Sequence, residues 1–318
     1  MEPHQADGTL AERTPPRGPL FAPPVYRRFL AGGVDSLRPS RAGLVVVLAI
    51  GVGLVAIRWL CLPPEGPSAS LAPLTTTVGT LATAIVLVLL TTRWLGSRLG
   101  TLTGLVWLTT LGVLGGQTYT PLAATLCLAL GLFAAAEVPG RLPPLTHRAT
   151  AWAFYGVVGL SLFPFGSDAA VVILATCLGF LLVSQNARSL RFLLNPVGLG
   201  LLGAAIVGRW ALGPVACVGD EAAPLADTLT VSLATGTLPW LPLAVVAVVA
   251  GLRQGHYAAP FWRLVGCWTV VAVGLGVLGT TSSPATLAAL TPPVCVMAAA
   301  GLTLGAGRWA RRPGRDPA

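Results

Sequence analysis

The sequence predicts an all-α, polytopic transmembrane helical bundle of about ten spans, with both termini on the cytoplasmic side. Three observations carry this reading. Apolar residues make up 54% of the chain and charged residues only 10%, with a mean hydropathy of +0.77. A soluble domain carries roughly 25% charged residues, so there is too little charge here to coat a water-facing surface. Apolar stretches of about 18 to 22 residues recur along the chain, the length a helix needs to cross hydrocarbon. Arginines and carboxylates, finally, alternate between successive connections, a sidedness that a bilayer imposes.

Residues 1–41 are polar and rich in Pro and Arg, as in Arg13-Thr-Pro-Pro-Arg17 and Tyr26-Arg-Arg28. Such a segment buries too little apolar area to fold alone. It reads as a disordered cytoplasmic tail with a short interfacial helix at Val25–Leu37, and it lacks the pattern of a secretory signal. The transmembrane domain is expected over 42–306. Its spans are Ala42–Leu62, Leu71–Thr92, Leu99–Gly116, Tyr119–Val138, Ala149–Phe165, Asp168–Gln185, Phe192–Leu212, Leu229–Leu252, Phe261–Thr280 and Ala285–Ala306. Phe163-Pro-Phe-Gly166 separates one pair of spans, and Pro239 and Pro242 are expected to kink another. A basic cytoplasmic tail, 307–318, follows.

Loop charge tests this count. The connections placed inside are the N-terminal tail, Arg93/Arg98, Arg141/Arg148, Arg188/Arg191, Arg253/Arg263, and the tail with Arg308, Arg311, Arg312 and Arg315. Those placed outside hold Glu65, Asp168, Asp220, Glu221 and Asp227, with Arg58 and Arg209 at their rims. One missed helix would flip every later loop and break the alternation. The net charge of +9 comes from Arg alone and flanks apolar segments, so it orients spans in a cell (inner) membrane and argues against nucleic acid. Trp59, Trp94, Tyr119, Trp210, Trp262 and Trp309 lie near span ends as interfacial anchors.

The 6 cysteines show no metal-binding spacing. Cys127, Cys177, Cys267 and Cys295 fall inside spans as small hydrophobes. Cys61 and Cys217 lie near the outer face, which leaves a disulfide between them open. There is no P-loop, HExxH or GxSxG motif, and His4, His147 and His256 fall in the tail and in cytoplasmic loops. Gly198, Gly200 and Gly203 are expected to let helix backbones approach in lipid. The scarce acids carry more information. A carboxylate on the outer face serves as general base toward a hydroxyl, or holds a divalent metal ion. Acids also collect there simply because Arg is disfavoured. Arg58 and Arg209 either clamp a lipid phosphate bidentately or snorkel to the headgroups.

Four stretches, in order, carry a family resemblance: Thr91-Thr-Arg-Trp-Leu-Gly-Ser-Arg-Leu-Gly-Thr-Leu-Thr-Gly104; Tyr119-Thr-Pro121; Arg188-Ser-Leu-Arg-Phe-Leu-Leu-Asn-Pro-Val-Gly-Leu-Gly200, leading to Arg209-Trp210; and Leu238-Pro-Trp-Leu-Pro-Leu243 with Trp268 and Leu290-Thr-Pro-Pro-Val294. From about Leu71 to Ala306 the chain resembles the membrane glycosyltransferases of superfamily C, in the branch of protein mannosyltransferases and lipid A aminoarabinose transferases. The resemblance implies inverting transfer of a sugar from a polyprenyl-phosphate donor to an acceptor on the extracytoplasmic face. On that reading Glu65 or the Asp220–Glu221 pair deprotonates the acceptor, with a divalent metal ion as the one cofactor in view. Arg58, Arg209, Asp168 and Asp227 hold the substrate. The chain departs from the family in its short first outer loop, about Pro63–Ser70, where Glu65 is the sole acid. It also has Leu122 and Ala123 where the family's Asp follows Tyr119-Thr-Pro121, Ser167-Asp168 in place of a Lys, and a reduced Thr281-Ser-Ser-Pro284. The first-loop catalytic motif is thus missing or degenerate. Two other classes stay open. One is a non-catalytic membrane scaffold or assembly subunit. The other is a transporter, disfavoured by span centres without ionisable residues and by the lack of inverted repeats. The expected partners are membrane lipids and the polyprenyl-phosphate-linked sugar.

Overall fold

A computed structural model describes residues 41–61, 71–110, 120–137, 144–184, 187–212, 237, 240–254, 260–278 and 283–310. Among them run eleven helices and no strand: α1 Arg41–Cys61, α2 Leu71–Leu95, α3 Ser97–Leu108, α4 Thr120–Glu137, α5 Pro144–Phe165, α6 Ser167–Ser184, α7 Ala187–Leu193, α8 Pro196–Ala211, α9 Leu241–Gln254, α10 Pro260–Val277 and α11 Ser283–Ala310. Four are long and apolar enough to cross a membrane, within Thr75–Leu95, Ser167–Ser184, Pro260–Val277 and Ala285–Leu304. Apolar helices of 10–17 residues add Ala42–Leu54, Thr120–Ala136, Pro196–Ala211 and Leu241–Gly251.

Several expected elements differ. Helix α3 ends at Leu108, with Thr109 as its cap, rather than at Gly116, and α9 starts at Leu241 after a turn at Trp240 rather than at Leu229. The span expected at Phe192–Leu212 is two helices, because Pro196 has no N–H to continue α7. Asn195 instead caps α8, its side chain accepting from the backbone of Val197 (3.1 Å) and Gly198 (3.2 Å). The Tyr155 hydroxyl donates to the carbonyl of Leu193 at the end of α7. Helix α5 begins at Pro144 rather than Ala149, so His147 and Arg148 lie in its first turns and not in a loop. Pro at a helix start gives up no hydrogen bond. The interfacial helix at Val25–Leu37 and both tails as far as residues 40 and 311 lie outside the described residues, as do His4, His256, Cys217 and Tyr119.

Side-chain size decides how the helices meet. Gly96, at φ 97°, turns α2 into α3. The pair then packs antiparallel, Gly100 against Thr92 and Gly104 against Val88, where an added Cβ would lie 2.6 Å from the valine. Trp107 closes this hairpin, its Nε1 donating to the carbonyl of Thr80 (3.1 Å). Helix α4 runs parallel to α2: the Thr120 hydroxyl donates to the carbonyl of Thr76 (3.0 Å), and Val86 lies beside Gly131 further along. Helix α8 runs parallel to α5, since Tyr155, Gly159 and Phe163 meet Gly198, Ala205 and Gly208 in that order. Of the three glycines expected to pack helices in α8, Gly198 does so under the Tyr155 ring. Gly200 and Gly203 have open space before them.

Helix α11 is the axis. Every residue from Ala285 to Gly301 is buried, and α11 touches α2, α3, α4, α6, α9 and α10. Its Pro292 and Pro293 withdraw two N–H donors from the middle of the helix, while the Thr291 hydroxyl donates back to the carbonyl of Leu287 (2.8 Å). Many buried hydroxyls do the same, among them Thr80, Thr83 and Thr103, which satisfies them without water. The outside of the bundle is apolar, with Val45, Leu160, Leu182, Val207 and Val270 all exposed, as contact with hydrocarbon requires.

Candidate functional site

The packing sorts charge between two ends of the bundle. Trp94, at the end of α2, stacks on Phe261, at the start of α10, with ring centres 5.9 Å apart. Phe133 near the end of α4 meets Phe154, Phe180 and Phe192 at centroid distances of 6.3, 5.6 and 5.8 Å. This aromatic plug, with rings at most 3% exposed, joins the middle of α5, the end of α6 and α7 to α4. The connections at this end carry Arg93, Arg98, Arg148, Arg191 and Arg263. Glu137, which closes α4 here, is an acid that the loop-charge reading does not use.

The opposite end holds Asp168 and Arg209. Gly166, at φ 64°, reverses the chain between α5 and α6, a left-handed turn that glycine adopts without steric cost. Asp168 follows in the first turn of α6, where the helix dipole favours a negative charge. Arg209 sits in the last turn of α8. Because α8 runs parallel to α5, Gly208 comes beside Phe163, and a Cβ built there would lie 3.6 Å from the ring. Two residues far apart in sequence are thereby placed at one end of the bundle. Both are partly buried, and each has an interaction partner. Beside them Trp210 is 85% exposed, a ring presented at the rim of the bundle. A guanidinium can take two oxygens of a phosphate, and a carboxylate can accept hydrogen bonds from hydroxyls.

The remaining expected residues are not brought to this site by the described structure. Glu65, Asp220, Glu221 and Asp227 lie outside the described residues, as does the side chain of Arg58 in α1; the Cys61–Cys217 pairing lies outside as well. Among the described residues no group of three or more His, Cys, Asp or Glu side chains is placed to hold a metal ion, and the carboxylates expected to do so are Glu65, Asp220 and Glu221. Cys127, Cys177 and Cys295 are buried and reduced within spans.

No protein-family model matches the sequence, and no curated protein does. Two solved structures resemble it: ArnT from Cupriavidus metallidurans in the apo state, and the same protein bound to undecaprenyl phosphate. Each superposes with a TM-score of 0.60 at 15% identity, over 81% and 80% of this chain. The chain shares the fold of the matching part of these two structures. The chain spans about half the length of these ArnT structures, 50% and 49% of them.

Proposed function

We propose that this chain is a membrane-embedded, glycosyltransferase-like protein of the cell inner membrane. It takes a polyprenyl-phosphate-linked sugar at the Asp168–Arg209 end and transfers the sugar to an acceptor on the extracytoplasmic face. The observation that carries the proposal is the likeness over 80% of the chain to a fold whose solved examples include one bound to undecaprenyl phosphate. The Arg-bearing end faces the cytoplasm, following the rule that basic connections are retained inside. The Asp168–Arg209 end then faces out.

The chemistry asks for few groups. A carboxylate, Glu65 or one of the Asp220–Glu221 pair, accepts the proton of the acceptor hydroxyl. The oxygen attacks the anomeric carbon opposite the phosphate, the bond from that carbon to the phosphate oxygen breaks, and configuration inverts. The electron pair leaves on the polyprenyl phosphate, whose growing charge is met by the guanidinium groups of Arg209 and Arg58. Asp168 and Asp227 accept hydrogen bonds from the sugar. A divalent metal, if recruited, binds the carboxylate oxygens.

The test is sugar transfer by the full chain in proteoliposomes, with polyprenyl-phosphate-linked sugars as donors. Turnover is expected to fall at least about 100-fold in Glu65→Gln or in Asp220→Asn/Glu221→Gln, the scale of a lost general base. Arg209→Ala is expected to weaken donor binding about tenfold or more, as for a lost hydrogen bond to a charged group. Turnover unchanged in both carboxylate variants would overturn the residue assignments. No turnover, together with co-purification of a partner enzyme, would replace the proposal with the scaffold reading.

A further inference from the structure

A groove opens at the other end of the bundle, away from Asp168 and Arg209. Gly43 of α1 and Ser97, Arg98, Thr101 and Leu102 of α3 line it, enclosing about 420 Å³. Helices α1 and α3 run parallel, Val47 beside Gly104 and Gly51 beside Leu108, so the groove lies between their first turns and is closed below where buried Val47 packs on Gly104. Its wall is apolar at Leu102. The Thr101 hydroxyl is turned back onto the carbonyl of Ser97 (3.0 Å). Arg98 stands exposed at the mouth. Neither helix has an acidic residue in its first turn, so no carboxylate from these turns offsets the guanidinium. Across the Gly96 turn lies a second cation, Arg93, whose Nε is buried with no hydrogen-bond partner among the described residues.

We propose that this groove is a binding site for the headgroup of an anionic phospholipid in the leaflet at the Arg-bearing end. Arg98 takes two phosphate oxygens through its planar fork, and the acyl chain passes Leu102 and runs down the apolar outside of the bundle. Charge complementarity selects the phosphate. The groove lies at the end of spans whose outward side is apolar, as at exposed Val45 and Val46 of α1, and this selects a lipid over a free ion, since a dissolved phosphate has nothing to place there. The site is separate from the one proposed for sugar transfer and does not rest on it.

The experiment is native mass spectrometry of the full chain released from nanodiscs holding equal phosphatidylglycerol and phosphatidylcholine. The wild type is expected to retain phosphatidylglycerol about fivefold over phosphatidylcholine, the factor expected for one basic residue at an anionic interface. Arg98→Gln is expected to lose most of that preference. Arg98→Lys should keep part of it, having the charge without the fork. Arg148→Gln, exposed at the same end but outside the groove, is expected to keep all of it. Equal losses in Arg98→Gln and Arg148→Gln would overturn the site in favour of diffuse charge. Displacement of the lipid by millimolar inorganic phosphate would overturn the commitment to a lipid. Arg98 is exposed, so its variants are expected to fold, and unchanged sugar transfer in them would separate the two sites.

Discussion

Helices α8 and α11 are both apolar on every face, yet they occupy opposite positions. In α8 the one buried residue is Gly198, and Ile206, Val207 and Trp210 point outward, 54%, 64% and 85% exposed. In α11 the run from Ala285 to Gly301 is wholly buried. Hydropathy does not separate them, because lipid tails are as apolar as leucine and give helices no hydrophobic reason to meet. Size does. The buried run of α11 is rich in Ala, with Gly, Thr, Pro and Cys beside Leu287, Leu290, Val294, Val296 and Met297, and Gly301 is set directly against the carbonyl of Leu243 in α9. The outward side of α8 carries Leu199, Leu201, Ile206, Val207 and Trp210 among exposed glycines and alanines. Close backbone approach, rather than exclusion from water, places a helix at the axis of this bundle.

The comparison can be broken with substitutions of like chemistry in the two helices. Gly301→Leu inserts a side chain where Leu243 backbone stands and is expected to cost about 3 kcal/mol, the upper part of the range for overpacking. Unfolding in mild detergent would measure it. Phe133→Ala empties the plug that joins four helix segments. It is expected to cost about 2 kcal/mol, below the usual aromatic deletion, because only the cavity term survives when the unfolded reference is also apolar. Asn195→Ala removes the cap of α8 and should cost about 1 kcal/mol. Gly203→Leu, facing open space in α8, should change stability by no more than about 0.5 kcal/mol. A loss in Gly203→Leu equal to that in Gly301→Leu would show that α8 has a protein neighbour and would undo the contrast.

Much of the fold was legible in the sequence, because span length and hydropathy are local properties. Expected and observed bounds agree closely at Asp168–Gln185 against α6 and at Tyr119–Val138 against α4. The break before α8 was visible as Asn195-Pro196, a helix-start signal, but a long apolar run concealed it. Gly198 was indistinguishable from Gly200 and Gly203, since only the partner, Tyr155, sets which face packs. That Asp168 and Arg209 share one end was legible from loop charge, but how close the packing brings their helices was not. It depends on α8 lying parallel to α5, and hydropathy holds no record of which helix rests on which. The carboxylates expected to do the chemistry sit in connections, where periodicity gives no placement.

The transfer proposal depends on which way the bundle faces, and labelling with a membrane-impermeant maleimide tests this most directly. With Cys61→Ser and Cys217→Ser as background, Ser167→Cys at the start of α6 is expected to react on intact cells. Ser97→Cys at the start of α3 is expected to react only once the membrane is opened. Labelling of both from the same side, or of Ser97→Cys alone on intact cells, would contradict the account.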